Sequence, residues 1–352
     1  MYPSQPSWGV VATVCEPAAL LVAFAAHHLN LGAARVHFYL DAPNPELRGL
    51  VGHDPRVHLV DCSETFYRET LNRRRPPGIN RRQIVNAGHA ETVTDVEWLF
   101  HLDADEYLMM ASAGQMGAYG GANPAAELAR LPVGAMAFQV PNGERVFTAG
   151  APLRDVFGGN MALPIPDSGV LARLRGPDMN RYSRHGLLGH TLGKSAIRVG
   201  YGQAAGIHAP KVPGHQKVAA RDVILCHFDA LTRLHWAAKM MRHIDNNLLH
   251  DAGRGRSDYR TEQLRAVRDA GGDLAAVEAL HDRMRVIPPR VARKMRARGW
   301  MMDTGVAPGE AIARQYPGMQ VDLSIAGFDA RLLAQFPQLS ATVGQEQRRN
   351  VA

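Results

Sequence analysis

Between Trp8 and Leu102 the chain alternates short β-branched runs with stretches of helical periodicity, and that rhythm leaves few folds open. Trp8 to Val14 is an apolar, β-branched run. Glu16-Pro17 follows, and proline suits the first turn of a helix, where its missing N–H costs nothing. Leu20, Leu21, Phe24, His28 and Leu31 recur at helical spacing, with Gly32 as the stop. Arg35 to Leu40 reads as a second strand, Glu46 to Val51 as a short helix, and Val57 to Val60 as a third strand. A helix from Arg82 to Val93 leads into the clearest strand, Glu97 to Leu102. Strands separated by helices predict a parallel sheet with helices on both faces. Sheets of that kind bind ligands at the carboxyl ends of their strands.

The rest of the chain reads differently. Ala135 to Val140 and Arg145 to Phe147 are strand-like, and Gly150 to Tyr182, rich in Gly, Pro and Arg, reads as loop. Ser195 to Val199, Ala205 to His208 and Val223 to Cys226 are short strand candidates. From Leu231 the signals are helical: Thr232 to Leu249, Thr261 to Ala270, Leu274 to Arg285 and Arg290 to Arg298. The expected organisation is one α/β domain over residues 1–250 and a helical region over 251–352.

A chain of 352 residues with 46% hydrophobic and 21% charged residues can bury a core, which excludes wholesale disorder and collagen-like repeats. Cys15, Cys62 and Cys226 lack metal-ligand spacing and fit a reducing compartment. Met1 to Trp8 shows no secretory pattern, and the apolar run Pro17 to Ala26 is far short of the ~20 residues a membrane span needs. A cytoplasmic location is expected. The net charge is +7, and only five of the 40 basic residues are lysine. Arginine excess reflects either codon usage or guanidinium forks that bind phosphate. Nucleic acid is not expected, because no binding motif or aromatic interleaving accompanies the basic residues.

The most informative segment is Trp98-Leu-Phe-His-Leu-Asp103-Ala-Asp105-Glu106-Tyr-Leu108, where an apolar strand delivers three carboxylates within four residues. Asp103 and Asp105 alternate with period two and can face one side. Such a pair is either a solvated acidic turn or a seat for a divalent cation, which relieves the mutual repulsion. Magnesium or manganese held by one or two carboxylates, with phosphates and water in the other positions, is a common arrangement.

The run Asp103-Ala-Asp105-Glu106-Tyr107-Leu108 resembles the Asp-x-Asp region of family 2-like glycosyltransferases, especially the Asp-Ala-Asp-Glu-Phe/Tyr-Leu subgroup. Val11 to Glu16, Phe24 to Gly32, Val36 to Asp41 and Arg82 to Ala90 are similar to the family in order, and residues 8 to 110 carry most of the likeness. Scattered matches follow at Gly193-Lys194-Ser195, Gly206-Ile-His208, Cys226-His227-Phe228, Trp236 and Lys239. Cys15 departs from the family, which often has Asn there.

The resemblance implies a GT-A-like, Rossmann-type central sheet followed by a mainly helical C-terminal region. It also implies transfer of a sugar from a nucleotide diphosphate sugar donor to a glycan or glycolipid acceptor hydroxyl, in surface polysaccharide or glycoconjugate synthesis. Manganese or magnesium would offset charge on the leaving diphosphate. Asp105 is the implied direct metal ligand, with Asp103 on the metal or ribose and His227, or else His208, as a nitrogen ligand favouring manganese. Glu16 and Asp41 are implied to bound the nucleotide pocket; the alternatives are a helix-start residue and a turn residue. Arg82 and Lys194 are cationic candidates for the diphosphate, with Gln83 and Asn86 on one helix face. Glu144, Asp155 and Asp229 stand open as the base, and retention or inversion is undecided. Arg73 to Arg75, Arg81 and the group Arg173, Arg175, Arg181 and Arg184 are either solvated loops or a lid over phosphates. Arg283 to Arg298 is either an ordinary basic helix or a peripheral contact with an acidic membrane surface. A catalytically degenerate nucleotide- or glycan-binding domain is the alternative reading. An Asp-x-Asp phosphotransferase or phosphatase fits less well, since that motif sits on a first strand and here it follows the fourth.

Overall fold

The computed structural model describes residues 5–112, 115–116, 123–201, 206–210, 216–245, 258–271 and 273–335. The chain opens with β1 (Trp8–Val14), α1 (Ala18–Asn30), β2 (Arg35–Leu40), α2 (Pro45–Val51) and β3 (Val57–Asp61). A π-helical turn at Phe66–Thr70 precedes α3 (Ile79–Val93), β4 (Trp98–His101), β5 (Glu106–Ser112), β6 (Gln115–Met116), α4 (Pro124–Leu128) and β7 (Ala135–Val140). Then come β8 (Asn142–Thr148), β9 (Asn160–Ala162), α5 (Ser168–Arg175), α6 (Met179–Tyr182), β10 (Lys194–Arg198), β11 (Gln216–Ala219) and β12 (Val223–His227). The chain continues with α7 (Arg233–Asp245), α8 (Asp258–Asp269), α9 (Leu274–Arg285), β13 (Val286–Ile287), α10 (Pro289–Arg296), β14 (Met301–Asp303), α11 (Pro308–Gln315) and α12 (Ile325–Gln335).

Two compact units interleave along the sequence. Unit 1 comprises Met1–Asn142, Leu192–Cys226 and Gly305–Val321, and unit 2 the remaining segments Gly143–Thr191, His227–Thr304 and Asp322–Ala352. The boundary expected near residue 250 falls outside the described residues.

Unit 1 is a mixed α/β layer structure. Its sheet runs β11-β7-β10-β4-β1-β2-β3, with β4, β1, β2 and β3 parallel and β10 antiparallel to both β4 and β7. Every residue of β1 is buried, as a strand covered on both faces requires. Alternation in β2 shows which helix covers which face. Phe38 packs on Phe24 of α1 at 5.6 Å, while the adjacent Tyr39 turns to the other face and places its hydroxyl 2.6 Å from His89 Nδ1 on α3. Val11, Leu99, Ala87, Ala90, Tyr67 and Ile197 complete the core under α3.

The His27-His28 pair closes the α1 face. His27 Nε2 donates to the Leu108 carbonyl at 2.7 Å, and the Leu108 N–H donates to His28 Nε2 at 3.4 Å. His28 Nδ1 then donates to Phe24 O at 2.9 Å. His28, which accepts at Nε2 and donates from Nδ1, is thereby neutral with a defined tautomer, and β5 is hydrogen-bonded to α1 through one residue's amide and carbonyl.

Unit 2 holds an antiparallel β8–β9–β14 arrangement, with β13 parallel along β8, and the helices α5 to α10 and α12. Its C-terminal stretch is mainly helical, as expected. The segment Gly150 to Tyr182 is irregular over more than half its length, as expected, but it also contains β9, α5 and α6; Asp167 caps α5 by accepting from Val170 N at 2.8 Å and Leu171 is buried. Two expectations are corrected. Residues 206–208 form bends and no strand, with residue 205 outside the described set. Pro17 is the N-cap of α1, one position before the first helical residue. Residues 246–249 of the helix expected from Thr232 also lie outside the described residues. Among the described residues, no helix is long and apolar enough to cross a membrane.

Burial holds the His27 pKa down near 4 against an ordinary 6.5, with the Leu108 carbonyl opposing that shift. The unfolded chain therefore takes up this proton first as pH falls, so stability is lost between about pH 6.5 and 4, by up to about 3 kcal/mol from His27. Thermal unfolding measured across that range should show a shallower pH dependence for His27→Gln than for the native chain; superimposable profiles would contradict the assignment.

Candidate active site

The path of the chain through the sheet locates a crevice. From β1 the chain moves through β2 to β3 on one side, then returns to place β4 on the other side of β1. The carboxyl ends of β1 and β4 therefore flank a topological switch point, where open α/β sheets bind ligands. Cys15 and Glu16 follow β1, Asp41 follows β2, and Asp103 to Glu106 follow β4.

The Asp103–Glu106 turn is tightly specified. Leu102 N donates to Val11 O at 3.0 Å, which ends the pairing with β1. Glu106 N then donates to Asp103 O at 3.0 Å, and Asp103 N donates to Glu106 Oε2 at 2.8 Å. Lys194 enters from β10, whose antiparallel register against β4 brings its first residue to the end of that strand. The lysine is fully buried, and its Nζ lies 2.8 Å from Asp103 Oδ2 and 3.2 Å from Glu106 Oε2. Burial would lower its pKa, but the charges of Glu106 and Asp103 and their hydrogen bonds outweigh that and push it up. Gln83 Nε2 on α3 donates to the other Asp103 oxygen, Oδ1, at 2.6 Å. Gly193 makes this entry possible: its φ is +64°, and a Cβ there would lie 2.0 Å from Val140 O.

Around this turn the charge is crowded. Glu16 is half-buried, and its carboxyl is pushed up to about 7 by burial and by the charges of Asp105 and Asp103, against the lowering effect of the Cys15 N–H that it accepts at 2.8 Å. His101, at the end of β4, is buried with Nδ1 2.9 Å from Gly206 O. Burial first, and Lys194 second, hold its pKa down.

Asp41 is gripped by two arginines. Arg82 Nε and Nη2 donate to Oδ1 and Oδ2 at 2.7 and 2.8 Å, and Arg75 Nη2 donates to Oδ1 at 2.7 Å. The remaining Arg82 nitrogen, Nη1, holds the Pro76 and Pro77 carbonyls at 3.0 and 2.7 Å, so this guanidinium ties a turn to the end of β2. Asn86, three residues beyond Gln83, is buried in a different network with Thr13 Oγ1 and the Tyr67 hydroxyl. His208 Nδ1 sits 3.1 Å from Gly193 O. Arg75, the second partner of Asp41, was not singled out from the sequence within its Arg-Arg-Arg run; only the fold separates it from the exposed Arg73 and Arg74.

In unit 2, His227 ends β12 with Nδ1 3.5 Å from Glu144 Oε1 and its ring 5.0 Å from that of His190. Glu144 is buried and accepts from the backbone N–H of Leu188 at 2.5 Å and of Gly189. Burial opposes its ionisation, yet His227 and Arg285 hold its pKa below the usual value. Asp229 is buried against Lys239 at 2.9 Å, Arg260 at 3.4 Å and Arg285. Those three cations overcome burial and hold it well below the carboxylate range. Asp155 accepts from Phe157 N at 2.8 Å and Arg154 Nε at 2.9 Å. All three candidate bases are thus engaged in holding the fold, and the depressed pKa of Glu144 and Asp229 makes them weak proton acceptors.

No model of a protein family matches the chain, and no curated protein does. Among solved structures it is similar to glucosyl-3-phosphoglycerate synthase from Mycobacterium tuberculosis, a complex with Mn2+, UDP-glucose and phosphoglyceric acid, at 12% identity and a TM-score of 0.28 over 55% of this chain. The chain spans 57% of the length of that protein. HddC from Yersinia pseudotuberculosis gives 11% identity and a TM-score of 0.32, covering 63% of this chain and 93% of that one. TarS 1-349 from S. aureus gives 10% identity and a TM-score of 0.28, covering 91% and 94%. Likeness at this level leaves the activity to be argued from the residues.

Lys194→Met removes the ammonium that Asp103 and Glu106 share. Urea denaturation should show a loss of about 3–5 kcal/mol, partly recovered by the second change Glu106→Gln. A loss under about 1 kcal/mol would show that Lys194 is not the counter-ion that the fold needs.

Proposed function

We propose that the chain is a metal-dependent glycosyltransferase that moves a sugar from a nucleotide diphosphate sugar to an acceptor hydroxyl of a glycan or glycolipid. The observation that carries this reading is the acidic turn at the switch point, with Asp103 fixed on both oxygens by Gln83 and Lys194. A carboxylate held so firmly serves positioning, and its neighbour Asp105, half-exposed beside it, is the proposed direct ligand of the metal. The carboxylate oxygens of this turn fit a hard divalent cation. Manganese or magnesium, when bound, would supply charge to offset the departing diphosphate.

The remaining assignments follow the same edge of the sheet. Asp41 accepts three of the about four hydrogen bonds a carboxylate can take, which leaves one for a ribose hydroxyl. Arg82 acts in this reading by orienting Asp41, and Lys194 by orienting Asp103. Glu16 bounds the nucleotide pocket from the end of β1. Cytoplasmic placement and a role in surface polysaccharide or glycoconjugate synthesis belong to the same proposal.

Turnover of a panel of UDP, GDP and dTDP sugars, followed by release of the nucleoside diphosphate, tests it. Release should require manganese or magnesium, and Asp105→Ala should lower it at least a hundredfold with an unchanged melting temperature. Metal-independent release, or full activity in Asp105→Ala, would overturn the metal assignment. Binding of a nucleotide sugar without any turnover in the native chain would favour the degenerate-domain reading.

A further inference from the structure

Unit 2 contains a cavity of about 440 Å³ between the turn after β8, the start of α7, and the helices α9 and α12. That volume lies within the range of small-molecule sites. One part of its wall is apolar, formed by Leu153, Leu231, Val286 and Ile325. The other is polar and predominantly acidic, with Glu278, Asp282 and Asp329 against the single guanidinium of Arg233.

The polar groups are pre-oriented by one another. Asp282 is held by Arg233 at 2.6 Å and by His281 Nδ1 at 3.0 Å. Thr232 Oγ1 donates to Asp329 Oδ1 at 2.5 Å, and among the described residues Asp329 Oδ2 accepts no hydrogen bond. His281 lines the same cavity, is 1% exposed, and donates from Nδ1 to Asp282. Its Nε2 is then an acceptor, buried out of reach of solvent and without a partner among the described residues, so the acceptor open to a ligand is Asp329 Oδ2. Burial holds this imidazole neutral, with a pKa near 4.

The unused capacity is therefore for accepting hydrogen bonds, opposite an apolar wall. A phosphate or carboxylate ligand is disfavoured by three carboxylates. A ring with hydroxyl donors on its edge and a C–H face fits both walls. We propose that this cavity binds a neutral sugar ring, with a hydroxyl on Asp329 and its C–H face on the aliphatic wall. The inference does not rest on the glycosyltransferase reading, because it uses no residue of the acidic turn and requires neither donor nor metal.

Calorimetry of the full chain in EDTA, against glucose, galactose, N-acetylglucosamine and glucose 6-phosphate, tests it. At least one neutral sugar should bind saturably, and glucose 6-phosphate should bind more weakly than glucose. Ala151→Trp, on the exposed turn that lines the cavity, should weaken binding at least tenfold, as should Asp329→Ala, each with native circular dichroism. Loss of donor turnover with sugar binding retained would leave this site standing. No binding by any neutral sugar, binding indifferent to Ala151→Trp and Asp329→Ala, or preference for the phosphorylated sugar would overturn it.

Discussion

A buried ammonium shared by two carboxylates fixes the candidate site. An unpaired Lys194 would cost several kcal/mol to bury, so its placement is affordable only because Asp103 and Glu106 meet it at the end of β4. Those carboxylates are where they are because the strand ends one residue before Leu102 closes on Val11. Lys194 is where it is because β10 runs antiparallel to β4 and Gly193 can take a positive φ. Sheet register, turn geometry and charge pairing thus depend on one another, and a change to any of them displaces the acidic turn.

The same principle accounts for many of the arginines. Arg75 and Arg82 close on Asp41, Arg285 and Arg260 on Asp229, and Arg145 on the carbonyls of Val156 and Ala230 with its guanidinium 4.5 Å over Phe147. A planar fork with five donors in fixed geometry can grip both oxygens of one carboxylate and a carbonyl beside it, whereas lysine offers three donors from a single atom. The basic surplus is in good part architecture, and the arginines left for phosphate are fewer than the composition suggests.

Much of unit 1 was legible from the sequence. The bounds of β1, β2 and β7 are those the residue patterns give, because β-branched runs between turn signals have few other uses. The acidic turn was legible too, since its carboxylates are contiguous. What escaped were long-range partnerships. Lys194 meets Asp103 across 91 positions and Arg82 meets Asp41 across 41, so neither pairing leaves a local trace. Lys194 and Arg82 read as cations awaiting a ligand until the fold supplied internal partners. The helices α5 and α6 were hidden by Gly and Pro at their ends, which read as loop until the Asp167 cap is seen.

The central claim is that the acidic turn at the switch point seats a divalent cation together with a nucleoside diphosphate. Calorimetric titration of UDP, GDP and dTDP in manganese, repeated in EDTA, tests it most directly. At least one nucleotide should bind in manganese and lose at least tenfold in affinity in EDTA; equal binding in both, or none in either, would contradict the account.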